Sequence, residues 1–135
     1  MLEIVLHTND GLALSGVMEA ICEGRSLAQQ RLPITVRIIV CGMRHMPSSV
    51  SRQLAEITWR YRERGVVGFD LAGPEKGFSS KAHREAYELV RSKNLNATLH
   101  AGEVRPRPCV VLSSFCLFSF LSLLPTALIS TLLCI

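Results

Sequence analysis

At 135 residues the chain is long enough for one domain with a core of its own. Lys and Arg number 15 against 11 Asp and Glu, a net charge of +4, and no basic run reaches five residues, which argues against a nucleic-acid-binding protein built on clustered cations. Five cysteines (Cys22, Cys41, Cys109, Cys116 and Cys134) at irregular spacing, with no Cys-x-x-Cys pair, argue against a disulfide framework and a structural zinc ribbon.

The first ten residues carry Glu3, His7 and Asp10 and no basic leader, so a reducing cytoplasm is expected rather than secretion. Leu2–His7 is a β-branched run that reads as a strand. Ser15–Gln30 reads as a helix with Val17, Ile21 and Leu27 apolar. Pro33 interrupts, and Ile34–Cys41 follows as a strand. Ser48 or Ser49 is suited to cap the next helix. There Val50, Leu54, Ile57 and Tyr61 recur at i, i+4, i+7 and i+11, one helical face, and Gly65 ends it. Val66–Leu71 is the third strand. Ser79 or Ser80 caps a helix with Ala82, Ala86, Leu89 and Val90 on one side. Asn96–His100 is the last strand.

The composition breaks near residue 108. The 27 residues Cys109–Ile135 carry no charge and are rich in Leu, Ser, Phe and Cys. Three readings compete: a membrane anchor, a buried strand or helix pair, and sequence that did not evolve with the rest. The run exceeds the ~20 apolar residues of a membrane span, but Pro125 interrupts it and no charge follows. No helical stripe, period-2 alternation or turn chemistry marks it, which favours the third reading. The expected organisation is therefore a folded unit over 1–108 and an apolar tail over 109–135, with membrane contact confined to the tail.

The order β-α-β-α-β-α-β implies a parallel sheet covered by helices. Four strands and three helices are about half of a (β/α)8 TIM barrel, which takes about 250 residues. The expected fold class is thus α/β, a partial barrel, with an open doubly wound sheet as the alternative. No Gly-x-Gly-x-x-Gly supports a dinucleotide version of that alternative. In either fold the site lies at the carboxyl ends of the strands. Those ends read Cys41-Gly42-Met43-Arg44-His45, Asp70-Leu71-Ala72-Gly73 and His100-Ala101-Gly102-Glu103.

His100 offers an imidazole nitrogen to a metal, and Gly102 permits a turn that aims Glu103 back toward a substrate. A carboxyl in a dry pocket stays protonated near neutral pH and serves as a general acid. Gly73 either lets backbone approach a ligand or simply turns the chain. Asp70 orients a neighbour or caps a loop. Arg44 pairs with Asp70 or binds an anion, and a rim salt bridge is the default. His45 is a ligand or a packed or exposed histidine. His83, following Ser80, is expected at the surface, and Cys41 is expected to pack as a small hydrophobe.

Taken together, the three strand-end segments resemble the adenosine deaminase family. They run from Arg37 to His45, from Val66 to Gly73 and from Thr98 to Glu103, and the likeness extends weakly back to Gly16–Gly24 and stops at about Val104. The resemblance implies a (β/α)8 barrel with one catalytic zinc that converts adenosine or deoxyadenosine to the inosine product and ammonia. It matches His100 to a zinc ligand, Glu103 to the acid that protonates a purine ring nitrogen, and Gly73 to a backbone contact with the purine. The implied partner is a small-molecule purine nucleoside. Ala101 sides with the nucleoside deaminases proper rather than the N6-methyl-AMP deaminase-like branch. Pro74 departs from the family pattern, removing one N–H and biasing Gly73 toward extended geometry. The Pro-Cys-x-x-Cys element of the cytidine-type deaminases is missing, because position 112 is Leu.

The family's paired His-x-His ligands have no counterpart in this sequence. Its later catalytic histidine and Asp-Asp pair belong beyond Glu103, where the apolar tail stands. The resemblance therefore implies an enzyme by descent, with this chain expected to be truncated and inactive. The alternative is a catalytically silent fragment that is membrane-anchored or partner-binding.

Overall fold

The computed structural model describes residues 1–6 and 11–102. Expectations for His7, Glu103 and the tail from 109 lie outside the described residues.

Four strands alternate with three helices, in the expected order. They are β1 (Leu2–Val5), α1 (Leu14–Arg31), β2 (Ile38–Met43), α2 (Ser48–Arg60), β3 (Val66–Ala72), α3 (Arg84–Ser92) and β4 (Asn96–Ala97). Short 3₁₀ turns at Arg62–Arg64 and Ser80–His83 lead into β3 and α3. The sheet is parallel throughout, with strand order β1-β2-β3-β4. Among the described residues no helix is long and apolar enough to cross a membrane.

The core lies between this sheet and the helices. Ile38, Val40, Val66 and Phe69 meet Met18 and Cys22 of α1, Leu54 and Ile57 of α2 with Tyr61 just beyond it, and Ala86 and Val90 of α3. The helical period of α2 is realised: Leu54, Ile57 and Tyr61 are buried, with Val50 packed at the margin. In α1 the buried pair is Met18 and Cys22, while Leu27 is 49% exposed.

One irregularity decides which side chains face the core. Ile38 pairs with Val66 but Ile39 pairs with Gly68, so Val67 is an extra residue in β3. Because side chains alternate, one inserted residue exchanges the two faces beyond it. Phe69 thereby sits beside Val40 on the helix-covered face, and Asp70 sits beside Cys41 on the opposite face. The bulge is thus what puts a carboxylate where a site needs one.

Several boundaries differ from the sequence-based expectation. β2 begins at Ile38, not Ile34. The backbone of Val36 is satisfied by α1 side chains instead: its N–H donates to Gln29 Oε1 (2.8 Å) and its carbonyl accepts from Arg25 Nε (2.8 Å). Ser48 opens α2 as a helical residue behind Pro47, and no side chain caps it. Ser79 does cap as expected, accepting from the Lys81 N–H, but onto a 3₁₀ turn that precedes α3. The formal β4 is short, yet its ladder runs on: Thr98 N–H donates to Phe69 O (3.0 Å) and His100 N–H to Leu71 O (3.1 Å).

Gly65 closes the turn before β3 with φ +92. A Cβ there would stand 2.4 Å from the Arg25 guanidinium, which is anchored on Val36 O. Gly65→Ala is expected to lower stability by about 1–2 kcal/mol, the cost of a left-handed L-residue, read as a lower urea midpoint. A neutral result would contradict this turn geometry.

Candidate active site

The carboxyl ends of β2, β3 and β4 converge, and the residues they carry are largely the expected ones. Asp70 and His100 meet directly. Asp70 Oδ2 lies 2.6 Å from His100 Nδ1, and Asp70 Oδ1 accepts from the Leu71 N–H at 2.8 Å. Asp70 is buried, whereas the His100 side chain is 38% exposed. A carboxylate accepts only, so Nδ1 carries a proton, and in the neutral imidazole Nε2 then keeps its lone pair. This is the arrangement that orients a metal-binding imidazole and raises its basicity. Of the two readings for Asp70, the orienting one is realised.

Glu3 completes the cluster from β1. Its Oε1 lies 4.0 Å from His100 Nδ1, and one ligand atom each from Glu3, Asp70 and His100 all lie within 4.8 Å of one another. Burial pushes the Glu3 carboxyl above the usual range, the Asp70 carboxylate adds to that, and Cys41 and His100 oppose it. Cys41 behaves as the expected small hydrophobe. It is fully buried, and burial with the nearby Glu3 and Asp70 carboxylates holds its thiol strongly protonated.

Zinc takes imidazole and carboxylate ligands, usually three or more from protein. Among the described residues, Glu3, Asp70 and His100 lie close enough together to share a cation, a donor set of one imidazole and two carboxylates that zinc accepts. Glu103, expected as the acid, lies outside the described residues.

Gly73 stands at the end of β3 with φ +97. Pro74 does not make it extended, because glycine lacks the Cβ through which a following proline restricts its neighbour. A Cβ at Gly73 would lie 3.3 Å from Met43 Cε and 3.4 Å from the Arg44 nitrogen, so the turn packs tightly against the end of β2. His45 is exposed and meets Phe78 edge-on at 6.4 Å.

Two expectations for basic residues are corrected. The default salt bridge of Arg44 forms, but with Glu75 and not Asp70, and its guanidinium does not stand on an exposed rim. Arg44 is buried, lies 3.8 Å from Glu75 and donates to the His100 carbonyl at 2.5 Å. His83 is not a surface residue but 1% exposed. His83 Nε2 donates to Arg44 O (3.1 Å), which leaves Nδ1 to accept from Ser51 Oγ (2.8 Å). The buried face of this segment is His83, Ala86 and Val90, spaced i, i+3 and i+7, whereas Ala82 is exposed. Ser51→Ala would leave the Nδ1 acceptor buried without its donor. It is expected to lose about 1–3 kcal/mol, measured by thermal unfolding; an unchanged midpoint would contradict the buried pair.

Sequence reasoning missed Glu3 and Glu75. A charged residue inside the β-branched run Leu2–Val5 was a signal for the first. Glu75 follows the Gly73-Pro74 turn in irregular chain, where no periodicity applies.

The fold agrees with comparisons to known proteins. The family model described as adenosine deaminase matches residues 3–113, more than half of the chain. The match takes in Glu3 and continues a few residues past the composition break. The chain is 62% identical over 99 residues to a probable adenosine deaminase of Dictyostelium discoideum, covering 73% of this chain and 13% of that protein. It is 40% identical over 110 residues to the adenosine deaminase of Mycobacterium marinum, covering 78% of this chain and 30% of that protein. It therefore spans under a third of these relatives.

Among solved structures it is similar to the N6-methyl-AMP deaminase from Arabidopsis thaliana, with TM-score 0.67 and 21% identity, over 84% of this chain and 36% of that one. A zinc-bound amidohydrolase from Burkhoderia ambifaria gives TM-score 0.68 and 21% identity, over 79% and 29%. At these identities the likeness is one of fold, and it makes the four-stranded sheet part of a (β/α)8 barrel. With the family match running from within β1 through β4 and covering well over half of its residues, the chain belongs to the adenosine deaminase family.

Proposed function

We propose that this chain carries the central part of a zinc-dependent deaminase that converts adenosine or deoxyadenosine to inosine or deoxyinosine and ammonia. The observation that carries the reading is the Asp70–His100 pair at 2.6 Å, placed where parallel α/β folds keep their chemistry. His100 Nε2 is the zinc ligand, and Asp70 holds its ring in the metal-binding tautomer. When bound, zinc would supply a water whose pKa is lowered toward about 7. Glu103 gives a proton to a purine ring nitrogen, so no negative charge accumulates on the ring as C6 is attacked. Gly73 lets backbone reach the purine. The protein works in the cytoplasm on a small nucleoside, with no nucleic-acid partner.

The family places a deaminase site among more ligands than one imidazole. This chain on its own is therefore expected to bind zinc weakly and to release no inosine above background. The test is a zinc titration of the purified chain, followed by NMR of the His100 ring, beside an inosine assay. The His100 resonances are expected to move with zinc, and His100→Ala to abolish binding at the site. Zinc that binds without disturbing His100 would contradict the ligand assignment.

A further inference from the structure

The His100-Ala101-Gly102 segment carries the family's ligand and leads into its acid, and it is held by groups the reaction itself does not use. Arg44 leaves the end of β2 with its backbone fixed on both sides. Its N–H donates to Ala72 O (2.8 Å), and its carbonyl accepts from His83 Nε2 (3.1 Å). Its buried guanidinium then reaches across two strand ends. Nη2 donates to the His100 carbonyl at 2.5 Å, and Nη1 reaches Phe78 O at 3.4 Å. The same Nη2 lies 3.8 Å from Glu75 Oε1. That Glu75 oxygen accepts from the Gly102 N–H at 2.5 Å.

One ion pair thus grips both ends of a turn. The cation satisfies the carbonyl of residue 100, and the anion satisfies the N–H of residue 102. Charge-assisted bonds of this kind are about twice as strong as neutral ones. The turn they hold is one a generic residue would resist, because Gly102 has φ +82. His100 is fixed at three points in all: its N–H on Leu71 O, its carbonyl on Arg44 and its Nδ1 on Asp70. A metal ligand needs such support, since a site must be held to about 0.5 Å and 10–20°.

We propose that Arg44 and Glu75 are positioning residues that clamp the His100–Gly102 turn and so set the direction in which the His100 side chain is presented. The proposal rests on the role given above to His100. Neither Arg44 nor Glu75 is asked to touch zinc or substrate. Ser51 and His83 extend the clamp inward by fixing the Arg44 carbonyl.

Amide hydrogen exchange by NMR on the purified chain tests it. Glu75→Ala is expected to speed exchange at the Gly102 amide by about tenfold or more, as loss of a charge-assisted hydrogen bond implies. The core amides of Val40 and Phe69 should keep their rates, which shows that the variant is folded. Glu75→Gln retains an acceptor oxygen and should recover most of the protection. Arg44→Lys cannot reproduce the planar fork, and it should shift the His100 ring resonances toward those of the alanine variant.

Unchanged Gly102 exchange in Glu75→Ala would overturn the clamp, as would a Glu75→Gln variant no better protected than alanine. A zinc titration of the same samples separates the two readings. Wild-type His100 resonances that ignore zinc would contradict the ligand role and leave the exchange result standing. Zinc that moves His100 with equal affinity in wild type and in Glu75→Ala would overturn the positioning role alone.

Discussion

Phe69→Ala is expected to destabilise the chain by about 3–5 kcal/mol, the usual loss for a fully buried aromatic. Phe69 has no exposed surface, pairs with Val40 in the ladder and meets the Tyr87 ring edge-on at 5.4 Å. It lies on an inner strand between the sheet and the helices, where little can relax into the space it leaves. Domains of this size hold only about 5–15 kcal/mol of net stability, so the variant should unfold at a much lower urea concentration or not fold at all. The size of the loss also tests the bulge at Val67. Without that extra residue Phe69 would point to the site face and Asp70 into the core. A loss below about 1.5 kcal/mol, the range of conservative core changes, would contradict the register.

Asp70→Ala is expected to weaken zinc binding at His100 by about 10–100-fold, the effect of removing a carboxylate that backs a metal-ligating histidine. The buried carboxylate fixes the Nδ1–H tautomer and accepts from the Leu71 N–H. Removing it frees the ring to rotate and lets the proton move to Nε2, the nitrogen proposed to hold the metal. Asp70→Asn keeps one acceptor oxygen and should lose less. The measurement is a zinc titration followed at the His100 ring. Equal or tighter binding in Asp70→Ala would show that the carboxylate competes for the imidazole instead of presenting it.

The element order was legible because it rests on local signals. The α2 stripe of Leu54, Ile57 and Tyr61, the β-branched runs of β2 and β3, and the Ser79 cap all act within a few residues. The placement of His100, Gly73 and Asp70 at strand ends was legible for the same reason, whereas the roles expected of them rest on the family resemblance. What was not legible depends on register and on long-range partners. The extra residue at Val67 leaves no mark in a run that is apolar on both sides. The start of β2 moved because Gln29 and Arg25, distant in sequence from Val36, claim its backbone. His83 was misplaced because a 3₁₀ turn precedes α3 and shifts the buried face. Arg44 looked like a rim cation because its partners, Glu75 and the His100 carbonyl, lie 31 and 56 residues further along the chain. Glu3 went unnoticed because nothing in a four-residue strand says which neighbours it will face.

This segment is expected to be chemically competent when the rest of a barrel is supplied. The most direct measurement is inosine formation from adenosine by a graft in which residues 3–103 replace the matching segment of the mycobacterial relative. A folded, zinc-loaded graft should release inosine and ammonia. Glu103→Ala in that graft should lower kcat by about 10²–10⁴, the share of a positioned general acid, and His100→Ala should remove both zinc and activity. A folded graft that holds zinc yet leaves adenosine intact, or one that works as well without the Glu103 carboxyl, would contradict the central claim.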